Sequence, residues 1–298
     1  MRRGKGLRLR SHITAQEKNF FLMGDILRMK DAREGRTLKT QTALITGPTS
    51  GIGKQLAIQL AKRGYDQVLV SRNEEKLIEL SEQLSKKFGI KAHHIVADLA
   101  NPDSIEKIFQ ETKMKGLEID VLVNNAGFDV YAPFAESDWQ ANERLLTVNV
   151  KAVLDLTHRF LPLMVQRKQG HILNIGSIGS FIPGPNNAVY AAGKAFILSF
   201  SEAIAEELRG SGVGVTCLCP GAVSTAFADK ADVKNTPLFI YTAMDPEAVA
   251  VAGVRAMEKK KRVYVPGWIN KIFIFLYRFF PRSWVTRISK WAMARQGT

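Results

Sequence analysis

The segment Thr42-Ala43-Leu44-Ile45-Thr46-Gly47-Pro48-Thr49-Ser50-Gly51-Ile52-Gly53 decides the fold of this 298-residue chain. An apolar run typical of a strand leads into a glycine-rich turn, and an apolar-periodic run typical of a helix follows. The glycines let the backbone turn sharply and approach a pyrophosphate, while the helix N-terminus points at that anion. The turn predicts a dinucleotide site, although a tight strand-to-helix turn without ligand gives the same local pattern.

Strand-like and helix-like runs alternate along the rest of the chain. The strand-like runs are Thr42–Thr46, Gln67–Ser71, Lys91–Ala97, Asp120–Asn124, His171–Gly176, Gly214–Cys219 and Arg262–Val265. The helix-like runs include Ile52–Arg63, Glu74–Lys87, Asp103–Lys115, Asn142–Gln166, Ala188–Arg209 and Pro246–Lys259. This order predicts an α/β fold: one Rossmann-type, doubly wound parallel sheet of about seven strands, with helices on both faces.

A second group of residues predicts acid/base chemistry. Tyr190 and Lys194 are four residues apart, which places them on one face of a helix, and Ser177 precedes the tyrosine by thirteen residues. An ammonium beside a phenol stabilises the phenolate and lowers a pKa that is ordinarily near ~10. Tyr190 is therefore predicted to act as an acid/base near neutral pH.

Five motifs occur in an order that resembles the short-chain dehydrogenase/reductase family. They are Thr46 to Gly53, Asn124-Asn125-Ala126-Gly127, the helix residue Asn149, the set Ser177, Tyr190 and Lys194, and Pro220-Gly221. The resemblance covers residues 41–266. It implies the catalytic residues Asn149, Ser177, Tyr190 and Lys194. In such a site Tyr190 gives a proton to a substrate carbonyl oxygen, Ser177 donates a hydrogen bond to the same oxygen, and Asn149 holds a water that continues a proton relay from Lys194.

The resemblance also implies which residues bind the cofactor. They are Gly47, Thr49, Ser50, Gly51, Ile52, Gly53, Arg72, Asp98, Asn125, Ala126, Gly127, Tyr190, Lys194, Pro220, Gly221, Val223 and Thr225. Within this set, Asp98 meets the adenine amino group and Thr225 holds the nicotinamide carboxamide. Asp98 is equally suited to a turn before Asn101-Pro102, and Thr225 to an ordinary loop position.

The end of the second strand indicates NADP(H) as the cofactor. An NAD site needs an acid there to accept a hydrogen bond from the ribose 2′-hydroxyl. This chain has Ser71 followed by Arg72, so nothing repels a 2′-phosphate and a guanidinium is available to bind it. The alternative for Arg72 is a solvated residue at a helix start.

The net charge of +14 is concentrated at the two ends of the chain. Residues 1–40 hold 11 Lys and Arg against 4 Asp and Glu, and residues 259–298 hold 10 Lys and Arg and no acid. We divide the chain into a basic N-terminal extension (1–40), a Rossmann domain (41–266) and a basic amphipathic C-terminal segment (267–298). Basic ends interleaved with aromatic residues favour an anionic membrane surface over nucleic acid, which requires a basic stripe on the fold itself.

The C-terminal segment has helical spacing on both sides of Pro281. Ile269, Ile272, Phe273, Leu276 and Phe280 precede it, and Trp284, Val285, Ile288 and Trp291 follow on one face, opposite Arg287 and Lys290. This pattern predicts a helix lying in a membrane interface. A helix packed over the active site and a subunit contact are equal alternatives, because exposed apolar stripes serve each purpose.

Apolar residues beyond Thr225 predict a hydrophobic substrate. The candidate wall and lid residues are Phe181, Ile182, Pro183, Phe227, Leu238, Phe239, Ile240, Tyr241 and Met244. We expect a homo-oligomer that interconverts a carbonyl and an alcohol on an acyl, sterol-like or aldehyde compound. The alternative is a non-catalytic dinucleotide sensor or scaffold at a membrane, which the intact Ser, Tyr and Lys set disfavours.

The only two cysteines, Cys217 and Cys219, alternate along a strand-like run, so both side chains point to one face. They predict buried, reduced thiols and a cytoplasmic location, with peripheral attachment to a membrane face. A metal site at this pair lacks further cysteines or clustered histidines, so no metal is expected.

Overall fold

A computed structural model describes residues 40–225 and 236–294. Within them lies a seven-stranded parallel sheet with the order β3-β2-β1-β4-β5-β6-β7. The strands are β1 Thr42–Thr46, β2 Asp66–Ser71, β3 Ala92–Val96, β4 Ile119–Asn124, β5 Gly170–Ile175, β6 Val213–Leu218 and β7 Val263–Tyr264. The predicted fold class and strand number are confirmed, and strand ends differ from the prediction by at most one residue.

Helices cover both faces of the sheet. They are α1 Gly51–Ala61, α2 Glu74–Phe88, α3 Ser104–Met114, α4 Trp139–Leu146, α5 Ala152–Arg167, α6 Ala188–Glu207, α7 Pro237–Thr242, α8 Pro246–Glu258, α9 Trp268–Leu276 and α10 Arg282–Met293. Side-chain caps start several of them: Asn73 accepts from the Lys76 N–H at 2.8 Å, and Asp245 accepts from the Ala248 N–H at 2.9 Å.

The first strand shows why the sheet needs helices on both sides. All five residues of β1 are buried. Ala43 and Ile45 join the apolar cluster that includes residues of α1, α2 and α8, whereas Leu44 joins the cluster formed with α3 and α5. Alternate side chains of a strand point to opposite faces, so a continuous apolar run requires two cores.

The helix before β5 differs from the prediction. One helix over Asn142–Gln166 was expected, but helix begins at Trp139 and is interrupted by a π-helical turn at Thr147–Lys151. The turn inserts an extra residue in the middle of the predicted amphipathic pattern. Such bulges occur often at functional sites, and this one contains Asn149.

The strand order places the site. From β1 the next strands in the chain are added on one side of the sheet, and from β4 onward they are added on the other side. The loops after the adjacent parallel strands β1 and β4 therefore diverge and leave a crevice at their carboxyl ends. The described residues include one helix, α6, that is long and apolar enough to cross a membrane. In this fold α6 packs against β6 and carries Tyr190 and Lys194.

Candidate active site

A cavity of about 690 Å³ occupies this crevice. All seventeen residues predicted to bind the cofactor line it, together with Ser177. They come from the loops after β1, β2, β3, β4 and β6 and from the start of α6. Residues that are far apart in the sequence therefore converge because parallel strands present their carboxyl ends at one edge of the sheet.

The glycine turn is shaped by close contacts. Gly47 and Gly51 have φ of +65° and +53°, which disfavours side chains. A Cβ on Gly53 would lie 2.2 Å from the Gly47 carbonyl oxygen and 2.3 Å from Asn125 Nδ2. Asn125 Nδ2 donates to the carbonyls of Thr46 and Gly47 at 2.9 and 3.0 Å, which ties the turn to the loop after β4.

The same turn leaves backbone donors for an anion. Helix α1 starts with no side-chain cap from Ser50 and no acid in its first turn. The N–H groups of that turn have no partner within the helix, and the helix dipole adds partial positive charge. This cradle, from which side chains are excluded, fits a dinucleotide pyrophosphate.

Two arginines flank Asp98 in the cavity. Arg144 Nη2 lies 2.6 Å from Asp98 Oδ2 and Arg72 Nη1 lies 4.0 Å from the same oxygen. Burial acts to raise the pKa of Asp98, but hydrogen bonds from Ala100 N–H and Arg144, with the charge of Arg72, hold it below its usual value. Sequence reasoning missed Arg144, since its position on α4 becomes adjacent to the β3 loop only in the folded chain.

Tyr190, Ser177 and Lys194 meet at the end of β5. The Ser177 hydroxyl hydrogen-bonds to Tyr190 and accepts from the Gly179 N–H at 3.1 Å. Lys194 Nζ donates to the Ile175 carbonyl at 2.7 Å and lies 5.6 Å from the centre of the Tyr190 ring. Burial lowers the pKa of Lys194 to about 8.

The sequence predicted a lowered pKa for Tyr190, but the geometry of the site raises it. Burial raises the pKa of Tyr190, the charge of Asp129 raises it further, and the Ser177 hydrogen bond lowers it. Tyr190 is therefore protonated at neutral pH, which is the form that a proton donor in carbonyl reduction requires.

Asn149 does not line the cavity. Its side chain is buried, with Nδ2 donating to the Phe128 carbonyl at 2.8 Å and Oδ1 accepting from the Phe128 N–H at 3.1 Å. These bonds hold the loop after β4 that supplies Asn125 to Gly127. The predicted role of Asn149 in a water relay stays a prediction.

The substrate part of the cavity is largely apolar, and its lining differs from the prediction. Ile182 and Phe239 line the cavity as expected, whereas Phe181 packs on the buried cysteines and Ile240 is exposed. Phe227 lies outside the described residues. The lining that sequence reasoning missed comprises Phe128, Asp129, Ile178, Phe273, Ala292 and Met293.

Comparisons with known proteins agree with this geometry. Residues 41–236 match the family model for short chain dehydrogenases. The very-long-chain 3-oxoacyl-CoA reductase of Pyricularia oryzae is 34% identical over 263 residues, covering 85% of this chain and 76% of that protein. The rat protein of the same name is 40% identical over 190 residues, covering 62% of this chain and 60% of the relative.

A solved structure is also similar. The short-chain dehydrogenase of Sphingobium yanoikuyae, in complex with NADPH, has a TM-score of 0.70 and 28% identity, covering 82% of this chain and 97% of that one. The cofactor of this chain is NADP(H), and its reaction interconverts a carbonyl and an alcohol on a hydrophobic substrate. The chain belongs to the short-chain dehydrogenase/reductase family.

Proposed function

We propose that this enzyme reduces 3-oxoacyl thioesters with long apolar chains. The observation that carries the proposal is the placement of Ser177 and Tyr190 in one cavity with the apolar residues Phe128, Ile178 and Ile182. The names of the two curated relatives support the thioester class. Phe239, Phe273 and Met293 offer apolar contact to an acyl chain, which is stabilised by leaving water.

The protein residues have separate tasks in this proposal. NADPH, when bound, supplies the hydride. Tyr190 gives its hydroxyl proton to the carbonyl oxygen, and Ser177 donates a hydrogen bond where negative charge develops. Lys194 keeps a positive charge beneath the Tyr190 ring and so stabilises the tyrosinate that remains until a proton returns.

Turnover of matched substrates tests the proposal. Loss of NADPH absorbance is followed with 3-oxoacyl thioesters from octanoyl to octadecanoyl length, and we expect kcat/KM to rise with chain length. Tyr190→Phe removes only the proton donor, so kcat is expected to fall by ~100-fold or more while the Kd of NADPH changes little. No turnover of any thioester, or turnover unaffected by Tyr190→Phe, would refute it.

We also propose that the C-terminal helices contact an anionic membrane surface. Ten large apolar side chains there are exposed: Trp268, Ile269, Ile272, Phe275, Leu276, Phe279, Phe280, Trp284, Ile288 and Trp291. Residues 267–298 also contain six Lys and Arg and no acid. Aromatic side chains and cations on one surface suit the headgroup region, where each cation contributes on the order of 1 kcal/mol.

The predicted faces of α10 need correction. Trp284, Val285, Ile288 and Trp291 were expected to share one face, but Val285 is buried with Ser289 while the other three are 49–67% exposed. The helix therefore packs on the domain along one line and leaves its aromatic side uncovered. This arrangement supports membrane contact through the exposed side of a helix whose other side packs on the domain.

Liposome flotation tests the membrane contact. The triple variant Trp268→Ser, Phe279→Ser, Trp291→Ser removes side chains that are 67–72% exposed, so folding should be unaffected. We expect weaker binding to phosphatidylserine vesicles than wild type, and binding that falls with salt. The control is Phe134→Ser, Trp139→Ser, whose side chains are each 62% exposed elsewhere. Equal losses in both variants would contradict the proposal.

Compartment, assembly and domain boundaries remain proposals. Cys217 and Cys219 are buried free thiols with Sγ atoms 3.6 Å apart, which supports a reducing compartment and a cytoplasmic active site. A homo-oligomer is tested by light scattering in size-exclusion chromatography. The boundaries at residues 40 and 266 are tested by limited proteolysis.

A further inference from the structure

Tyr131 connects two active-site loops to the C-terminal helix α10. Its phenol oxygen accepts from Asn186 Nδ2 at 3.3 Å, and its hydroxyl donates to the backbone carbonyl of Met293. The phenol has a single proton and Asn186 presents a donor to it, so the proton is directed at Met293. Met293 ends α10, where carbonyls have no partner within the helix.

Two hydrogen bonds join the loops at the base of this connection. The Ala132 N–H donates to the Asn186 carbonyl at 2.8 Å, and Asn187 Nδ2 donates to Asp129 Oδ2 at 2.9 Å. These bonds join the loop after β4 to the loop that leads into α6. Asn186 has φ of +62°, a conformation that asparagine tolerates better than most residues. Tyr131 therefore belongs to one of two loops that hydrogen bonds join to each other beside Tyr190.

Helix α10 packs against α7 and presents one side to the domain. Val285 and Ser289 are its buried residues, whereas Trp284, Ile288 and Trp291 point outward. Ser289, Ala292 and Met293 line the cavity. The end of α10 that Tyr131 holds is thus the end that forms a wall of the cavity.

We propose that Tyr131 is a positioning residue that sets the acyl-chain length of the substrate by holding the Ala292–Met293 wall of α10 in place. This inference rests on the proposed long-chain function. Loss of the Tyr131 hydroxyl leaves the Met293 carbonyl without its donor and lets the end of the helix withdraw. Long chains, which the wild-type cavity already accepts, then gain apolar contact beyond the displaced wall, whereas shorter chains gain less.

Two variants test the inference. Tyr131→Phe removes only the hydroxyl, and Asn186→Asp replaces the donor by an acceptor that competes for the phenol proton. The control is Tyr277→Phe, in the turn between α9 and α10. For each we measure kcat/KM with 3-oxodecanoyl and 3-oxohexadecanoyl thioesters. We expect the hexadecanoyl-to-decanoyl ratio to rise about five- to ten-fold in both variants, mainly through KM, and to stay unchanged in the control.

A binding measurement separates this inference from the proposed reaction. Decanoic and hexadecanoic acids compete with a fluorescent polyene fatty acid for the NADPH-bound protein, and the ratio of their affinities should shift as the kinetic ratio does. Tryptic cleavage at Arg287 and Lys290 should also accelerate in Tyr131→Phe. An unchanged chain-length ratio overturns the inference, even if cleavage accelerates. If wild type reduces no thioester, the proposed function fails, and the fatty-acid affinities still decide the role of Tyr131.

Discussion

Replacing Arg72 tests how the chain selects its cofactor. Arg72 follows β2, lines the cavity and is 63% exposed. Its guanidinium lies 4.0 Å from Asp98 Oδ2, whereas Arg144 is 2.6 Å from that oxygen. In Arg72→Ala, Asp98 keeps its closer partner, so the adenine end of the cavity should stay intact. The substitution should then weaken only the part of the NADPH binding affinity that comes from the 2′-phosphate.

The size of the effect follows from the exposure of the side chain. A hydrogen bond between charged groups contributes about 1.5–3 kcal/mol, and solvent screening at this position reduces that to about 1–2 kcal/mol. Arg72→Ala should therefore weaken NADPH binding by about five- to thirty-fold. NADH lacks the phosphate, so its Kd should change by less than about two-fold.

Arg72→Asp should go further and reverse the preference. The new carboxylate repels a 2′-phosphate and accepts a hydrogen bond from a free 2′-hydroxyl. It also stands near Asp98, so part of the gain for NADH is offset by repulsion between the two acids.

Fluorescence titration of NADPH and NADH gives both dissociation constants without a substrate. Arg209→Ala is a matched control, because Arg209 is 72% exposed, pairs with Glu206 and does not line the cavity. Equal weakening of NADPH and NADH by Arg72→Ala would refute the reasoning, since it would mean that Arg72 supports the shared part of the cofactor. So would a wild-type protein that prefers NADH.

Three further predictions concern single positions. Gly53→Ala should abolish cofactor binding and lower the Tm, because its Cβ would lie 2.2 Å from the Gly47 carbonyl oxygen; a Tm and Kd equal to wild type would contradict this. Ser177→Ala should lower kcat by about 100-fold with little change in the Kd of NADPH, since its hydroxyl acts on the substrate oxygen; stopped-flow measurement of kcat checks it. Burial lowers the pKa of His171 to about 4, below its unfolded value of about 6.5, so the unfolded chain binds the proton first as pH falls. Urea unfolding should show about 2 kcal/mol less stability at pH 5 than at pH 8 from this group, and His171→Gln should flatten that slope.

The sequence alone determined the fold class and predicted a set of site residues that the fold brings together. Alternating apolar runs predicted seven parallel strands, because the period of the apolar residues reflects local backbone geometry. The order of the motifs predicted Ser177, Tyr190 and Lys194 as one group, and they do meet in the cavity. Every residue predicted to contact the cofactor lines the same cavity, since all but Tyr190 and Lys194 follow the carboxyl ends of parallel strands and these two lie at the start of α6 beside them.

Tertiary structure decided what no local pattern records. The partnership of Arg144 with Asp98 and of Tyr131 with Met293 joins residues 46 and 162 positions apart. The side of α10 that is buried could not be read from its apolar spacing, because Trp284 and Val285 both belong to the apolar stripe and only packing against the domain buries one and exposes the other. The raised pKa of Tyr190 likewise follows from burial and from Asp129, both of which exist only once distant segments are packed together.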